Sequence, residues 1–212
     1  MIIAVDGPAA SGKGLLSTLI AKKLDLVRLD TGLLYRAVGQ ALPDSVDLKI
    51  DKKIVINAAK NLKISDLENP ALKSENSGVV ASKVAVIPEV RQYLIKFQQK
   101  FGKNLPFGKR GVVLDGRDIG TVVFPNADHK IFLTADANIR AQRRFAELGK
   151  KGIKVKYSRV LDDIISRDER DMERDTSPLV MAEDAFLIDS SNLKPNQVLD
   201  IAIKYIFRDD KV

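Results

Sequence analysis

The apolar positions of this chain switch between two periods. Ile2, Ile3 and Val5 make a short continuous run that stops at Asp6, and Leu15, Leu16, Leu19, Ile20 and Leu24 then recur at helical spacing. The same change is repeated downstream. Residues 26–30 read as a strand and lead into a helix through Leu34, Tyr35, Val38 and Leu42, and residues 111–115 form a third apolar run. Residues 130–134 give a fourth strand before a helix over 137–148. Residues 185–189 give a fifth, and Pro195 opens a last helix that packs through Val198, Ile201, Ala202, Tyr205 and Ile206. Strands and helices joined by short links demand parallel pairing with right-handed crossovers, which gathers ligands beyond the carboxyl ends of the strands. The expected architecture is an α/β fold, three layers deep, around a five-stranded parallel sheet.

Two regions depart from this rhythm. Residues 43–78 are rich in Lys, Asp, Asn and Ser and carry a weak core signal, so they read as an insertion. Within it the pattern predicts a helix over 54–62, a short strand over 62–64, and loop around Asn69-Pro70 and residues 74–77. Residues 79–101 are helical with a break at Pro88 and bury Val90, Leu94 and Phe97. A helix over 164–174 is mostly charged, with Arg167, Asp171 and Arg174 at i, i+4 and i+7 on one face.

Composition narrows the class. At 212 residues, with 45% hydrophobic and 30% charged residues and no cysteine, the chain reads as one large domain with an insertion that needs no disulfide or thiolate metal site. No apolar run approaches the length of a membrane span, and no basic segment precedes the first strand, so the expectation is a cytoplasmic protein without membrane contact. The net charge of +7 would suit nucleic acid, but aromatics are only 6% of the chain and the arginines lie beside carboxylates on helices. The excess charge therefore reads as provision for small phosphorylated ligands, with no nucleic-acid partner and no demand for a second chain: a monomer is expected.

The first strand–loop–helix carries the clearest chemistry. Gly7, Gly12 and Lys13 match most of the G-x-x-x-x-G-K-[ST] pattern, in which glycines let backbone N–H groups turn inward around a phosphate and the lysine adds positive charge. The following helix directs its N-terminal dipole at the same anion. Gly7, Pro8, Ala9, Ala10, Ser11, Gly12, Lys13, Gly14 and Leu15 are the candidate ATP-binding residues. The hydroxyl expected after the lysine is missing, since Gly14 and Leu15 follow. Magnesium entering with ATP would then rest on the nucleotide's own oxygens and on water, with Ser11 or Asp115 helping through water.

Other candidates are ambiguous by themselves. Thr31 can cap the second helix, and Tyr35 and Arg36 fall in its first turns. Arg36 suits either a solvated surface or an anion. Asp115, at the end of an apolar strand, suits a carboxylate delivered toward magnesium or an ordinary turn with Gly116. Arg140, Arg143 and Arg144 repel one another unless an anion or local carboxylates neutralise them. Residues 149–152, Gly-Lys-Lys-Gly, read as a hinge. His129, at a strand entrance, reads as exposed or capping.

Taken together, GPAASGKG at 7–14, LDTGLLYR at 29–36, ASKVAVIPEVR at 81–91, DGRDIGTVVFPNAD at 115–128 and RDERDMER at 167–174 resemble the bacterial cytidylate kinases, members of the adenylate-kinase-like nucleoside monophosphate kinases. The resemblance spans nearly the whole chain, and DGRDIGTVVFP is its most specific block. It implies reversible transfer of the ATP γ-phosphoryl group to CMP or dCMP by a phosphate-loop core at 1–42 and 79–212. That core would include a helical lid at about 145–166, and residues 43–78 would be a shortened nucleoside monophosphate-binding insertion. It further implies that Ser82, Arg91 and Asp118 read cytosine, and that Arg36, Arg117 and Arg174 clamp the acceptor phosphate. Arg167 and Asp171 would reach the sugar, Thr31 and Tyr35 would support the pocket, and Lys13, Arg117, Arg174 and Arg144 would carry catalysis. A sister kinase for another acceptor would keep the phosphate loop and lose the cytosine set. A non-catalytic nucleotide switch would bind ATP without forming product.

Overall fold

A computed structural model describes residues 1–43, 45–47 and 51–208; residue 44 and residues 48–50 of the expected insertion, and the last four residues, lie outside the described set. In chain order the elements are β1 (Ile2–Asp6), α1 (Lys13–Leu24), β2 (Val27–Asp30), α2 (Thr31–Gln40), α3 (Lys52–Lys60), α4 (Glu75–Val84), α5 (Pro88–Lys103), β3 (Val112–Gly116), β4 (His129–Thr134), α6 (Ala137–Lys150), α7 (Tyr157–Glu173), β5 (Phe186–Asp189) and α8 (Pro195–Ile206). They form two compact units, one of Met1–Leu29 with Leu105–Val212 and one of Asp30–Asn104.

The first unit holds the five-stranded parallel sheet, in the order β2-β3-β1-β4-β5. The central register pairs Ile3 with Val113 and His129, and Asp6 with Gly116 and Phe132, so β1 and β3 end level and β4 runs two residues further, to Thr134. Period-2 alternation sends Ile3, Val5, Val113, Ile131, Leu133 and Ile188 to one face, where they are buried with Leu16 and Ile20 of α1 and Val198, Ala202 and Ile206 of α8. Ala4, Val112 and Leu114 on the other face are also fully buried. Burial on both faces explains why these strands read as continuous apolar runs. A second cluster joins Ala141 and Leu148 of α6 to Val160 and Ile164 of α7, with Ala10 packed against it.

The second unit is helical among its described residues. Helix α2 is capped by Asp30, whose Oδ1 accepts from the Gly32 N–H at 3.1 Å, so the cap belongs to Asp30 and not to the expected Thr31. Residues 62–64 do not form the expected strand. A 3₁₀ turn runs over Ile64–Glu68 and another over Pro70–Lys73. Asp66 accepts from the Lys63 N–H at 2.8 Å and Asn69 from the Ala71 N–H at 3.0 Å, and such local bonds compete with a ladder. Residues 74–77, expected as loop, start α4, because Ser74 Oγ accepts from the Ser77 N–H at 3.2 Å. The break at Pro88 is present: proline opens α5 at a position where its missing N–H costs nothing. In the first unit, the charged helix expected over 164–174 is the second half of a longer α7 that ends at Glu173; Arg174 is its C-cap with extended backbone and so leaves the helical face expected of it.

Candidate active site

The phosphate loop leaves β1 at Gly7, whose φ of +146° and close approach to β4 exclude a side chain: a Cβ there would lie 2.0 Å from the Leu133 carbonyl oxygen. Ala10 adopts φ +56°, in the left-handed region, and Gly12 adopts φ +99° where α1 begins. Lys13 folds back over this turn. Its Nζ donates to the Pro8 carbonyl at 2.6 Å and reaches Ser11 Oγ at 3.5 Å, and the side chain is only 6% exposed. Burial first, then the Arg117 charge, drives its pKa well below the ordinary lysine value; Asp115 and Asp171 pull the other way and Arg167 adds to the fall. A buried lysine among guanidinium groups is a setting that an anion would stabilise.

Those guanidinium groups come from two places. Arg117 follows β3, and its Nε donates to Asp171 Oδ2 at 2.7 Å. Burial works against its charge, but the pull of Asp171 prevails and its pKa is raised. Asp171 sits on α7 with Arg174 Nη1 3.8 Å from its other oxygen, and Arg174 Nε donates to the Ser177 carbonyl at 2.6 Å. Burial pushes the Asp171 carboxyl up, yet Arg117 and Arg167 outweigh it and its pKa is lowered. The first unit thus brings Lys13, Arg117, Arg167, Asp171 and Arg174 into one electrostatic neighbourhood.

The loop after Arg117 is held from below. Asp118 is buried, and the π-helical turn Ile119–Val123 begins after it. Asp6 accepts from the Ile119 and Gly120 N–H groups at 2.8 and 2.7 Å. Burial raises the Asp6 pKa to about 6 against the pull of those two amides, with the Asp118 charge adding to the rise. Asp115 pairs with Arg28 at 2.9 Å, and its other oxygen lies 3.9 Å from where a Gly14 Cβ would stand.

The three arginines of α6 do not act as one group. Arg140 is buried against Asp168, Arg143 donates to Ser190 Oγ at 3.0 Å, and Arg144 pairs with Glu147 at 2.5 Å near the surface. In the second unit, Thr31 and Tyr35 are buried on α2, and the Arg91 guanidinium carbon lies 5.6 Å from the centre of the Tyr35 ring. Arg91 Nη1 donates to the Ala85 carbonyl at 3.2 Å. Arg36 Nη1 donates to the Leu72 and Ser74 carbonyls at 2.8 and 3.0 Å, and Ser82 Oγ donates to the Val79 carbonyl at 2.9 Å.

The sequence model of the family described as cytidylate kinase matches residues 3–208 of this chain. The chain belongs to the cytidylate kinase family. A cytidylate kinase from Paramagnetospirillum magneticum is 47% identical over 97% of this chain and 97% of its own length. One from Methylocella silvestris is 48% identical over 91% and 88%. A solved structure of an uncharacterized protein from Eubacterium ventriosum aligns with 100% of this chain and 99% of its own at TM-score 0.56 and 14% identity, a likeness of fold alone. Among the described residues no helix is long and apolar enough to cross a membrane.

Against this cytidylate kinase frame, the sequence reading passed over Asp6, Arg28 and Asp168. Asp6 had a signal, an acid directly before Gly7 at a strand end. Asp168 was hidden by its neighbours Arg167 and Asp171, and Arg28 by an otherwise apolar strand.

Proposed function

We propose that this chain transfers the γ-phosphoryl group of ATP reversibly to CMP or dCMP, giving ADP and CDP or dCDP. The observation that supports this most strongly is the buried Lys13 in the field of Arg117, of Arg167 and Asp171 on α7, and of Arg174 just past the end of that helix, in a chain of the cytidylate kinase family. An oxygen of the acceptor phosphate attacks the γ-phosphorus in line, and the bond from that phosphorus to the β-bridging oxygen breaks as ADP leaves. The protein supplies alignment and positive charge on the equatorial oxygens. In this reading Lys13 and the amides of residues 7–15 hold the donor phosphates, and Arg117 and Arg174 bear on the transferring group, with Arg144 approaching from the lid.

Arg36, Arg117 and Arg174 take the CMP phosphate, and Arg167 and Asp171 take the sugar hydroxyls. Ser82, Arg91 and Asp118 read the cytosine edge, whose amino donor and ring acceptors match a serine, arginine and carboxylate set. Thr31 and Tyr35 support that pocket.

Magnesium fits the residues present in a limited way. Among the described residues no group of three or more His, Asp or Glu could hold a metal ion, but a single carboxylate suits an ion that keeps its waters and leans on phosphate oxygens. Asp115, with one oxygen directed toward Gly14, would serve through water, and Ser11 lies in the same loop. When bound, magnesium neutralises part of the phosphate charge. We further propose that the protein works in the cytoplasm as a monomer on these nucleotides alone. The test is γ-labelled ATP with CMP: label should appear in CDP, and label released only as free phosphate would overturn the reading.

A further inference from the structure

A buried ion pair outside the proposed contact set grips the phosphate loop. Arg140 on α6 and Asp168 on α7 are 6% and 7% exposed and bonded to each other. Both also engage Ala9. Asp168 Oδ1 accepts from the Ala9 N–H at 3.3 Å, and Arg140 Nη1 donates to the Ala9 carbonyl at 3.2 Å. Arg140 Nε is fixed in turn on the Ala135 carbonyl at 2.8 Å, at the end of β4. Two peptide groups of the loop are therefore held in opposite senses by two charges that attract each other.

The next residue shows what the grip maintains. Ala10 stands at φ +56°, a conformation an alanine adopts only when its surroundings impose it. Its side chain packs against the apolar cluster of α6 and α7, so the same two helices bond Ala9 and press on Ala10. Ion pairs buried this deeply are weak stabilisers compared with apolar packing, which leaves a geometric role to account for this one. Asp168 also lies one residue from Arg167 and three from Asp171, so the turn of α7 that carries proposed acceptor groups is tied to the donor loop.

We propose that Asp168 and Arg140 are positioning residues that set the phosphate loop for the donor nucleotide. This rests on the loop being the ATP site. The pair touches no substrate; it aims the amides that do. The test uses the full chain with Asp168→Asn and Asp168→Ala. Both remove the charge opposite Arg140, but only asparagine keeps an oxygen acceptor for the Ala9 amide. ATP affinity is measured by calorimetric titration without acceptor, which keeps the result separate from any failure of CMP phosphorylation.

Asp168→Ala is expected to weaken ATP binding about tenfold, and Asp168→Asn no more than about threefold. Both variants should lose similar thermal stability. Equal ATP affinity in all three proteins, or equal losses in the two variants, overturns the proposal. A second measurement does not depend on the variants folding: in the wild-type chain without nucleotide, the Ala9 amide should exchange at least about a hundredfold more slowly than an unstructured amide. Exchange there at the unprotected rate also overturns it.

Discussion

Carboxylates stand out around the arginines of the first unit, and backbone carbonyls and a ring around those of the second. In the first, largely buried carboxylates take three of them, Asp171 pairing with Arg117, Asp168 with Arg140 and Asp115 with Arg28, while Arg143 bonds to Ser190 and Arg174 to the Ser177 carbonyl. In the second, backbone carbonyls take the hydrogen bonds of Arg36 and Arg91, with an aromatic ring beside Arg91. Charge-assisted bonds in a buried setting are short and directional, which supports the proposal that the first unit handles the transferring phosphoryl group. Arg36 and Arg91, proposed to meet the acceptor, would contribute affinity more than rate. The difference predicts that damage to the first unit appears in turnover and acid response, and damage to the second in acceptor affinity.

The largest expected effect is in the first unit. Arg174→Ala should lower kcat roughly 10²–10³-fold while the melting temperature shifts little. A large loss of stability with modest loss of turnover would make Arg174 structural and remove the contrast. Next is the acid response. The folded pKa of Asp6, about 6, stands above its ordinary 3.8, so its contribution to folding is full below pH 4 and is lost as pH rises through 6, a change of about 3 kcal/mol. Asp171 has the opposite sign: its pKa is lowered, so its contribution is present above 3.8 and is lost as pH falls below that. Denaturant unfolding of wild type and Asp6→Asn between pH 7 and pH 4 should show wild type gaining on the variant as pH falls. Parallel curves would refute the raised pKa.

Smaller effects concern the acceptor, through Arg36 in the second unit and Asp118 in the first. Arg36→Ala should raise the KM for CMP about tenfold with kcat less affected, and lower stability slightly because the carbonyls of Leu72 and Ser74 lose a donor. An unchanged KM would remove Arg36 from acceptor binding. Asp118→Ala should cost about fivefold more in kcat/KM with CMP than with UMP as acceptor. Equal losses would take Asp118 out of base recognition.

The units also differ in how far they can be read from sequence. Ile2, Ile3 and Val5, the glycines of the loop and the apolar run before Asp115 report local demands, a strand buried on both faces and a turn open to phosphate, and these survive intact in the fold. The i, i+4 spacing of Arg167 and Asp171 likewise forecasts a shared helical face, but Arg174, expected on it, is the extended C-cap of α7 and reaches Asp171 from beyond the last turn. The partners of those charges are set by tertiary contacts. Asp6 meets Ile119 and Gly120 across more than a hundred residues, and Arg140 meets Asp168 across twenty-eight. Arginines that looked alike at 140, 143 and 144 therefore end with three different partners. In the second unit residues 62–64, expected as a short strand, form none, because Asp66 and Asn69 close local turns that no periodicity of apolar residues records.

The most direct test of the central claim is the initial rate of ADP formation with CMP, dCMP, UMP and AMP at equal concentration. The account predicts that the cytidine acceptors exceed UMP and AMP by about tenfold or more. Equal rates across the four, or ADP formed at the same rate without any acceptor, would contradict it.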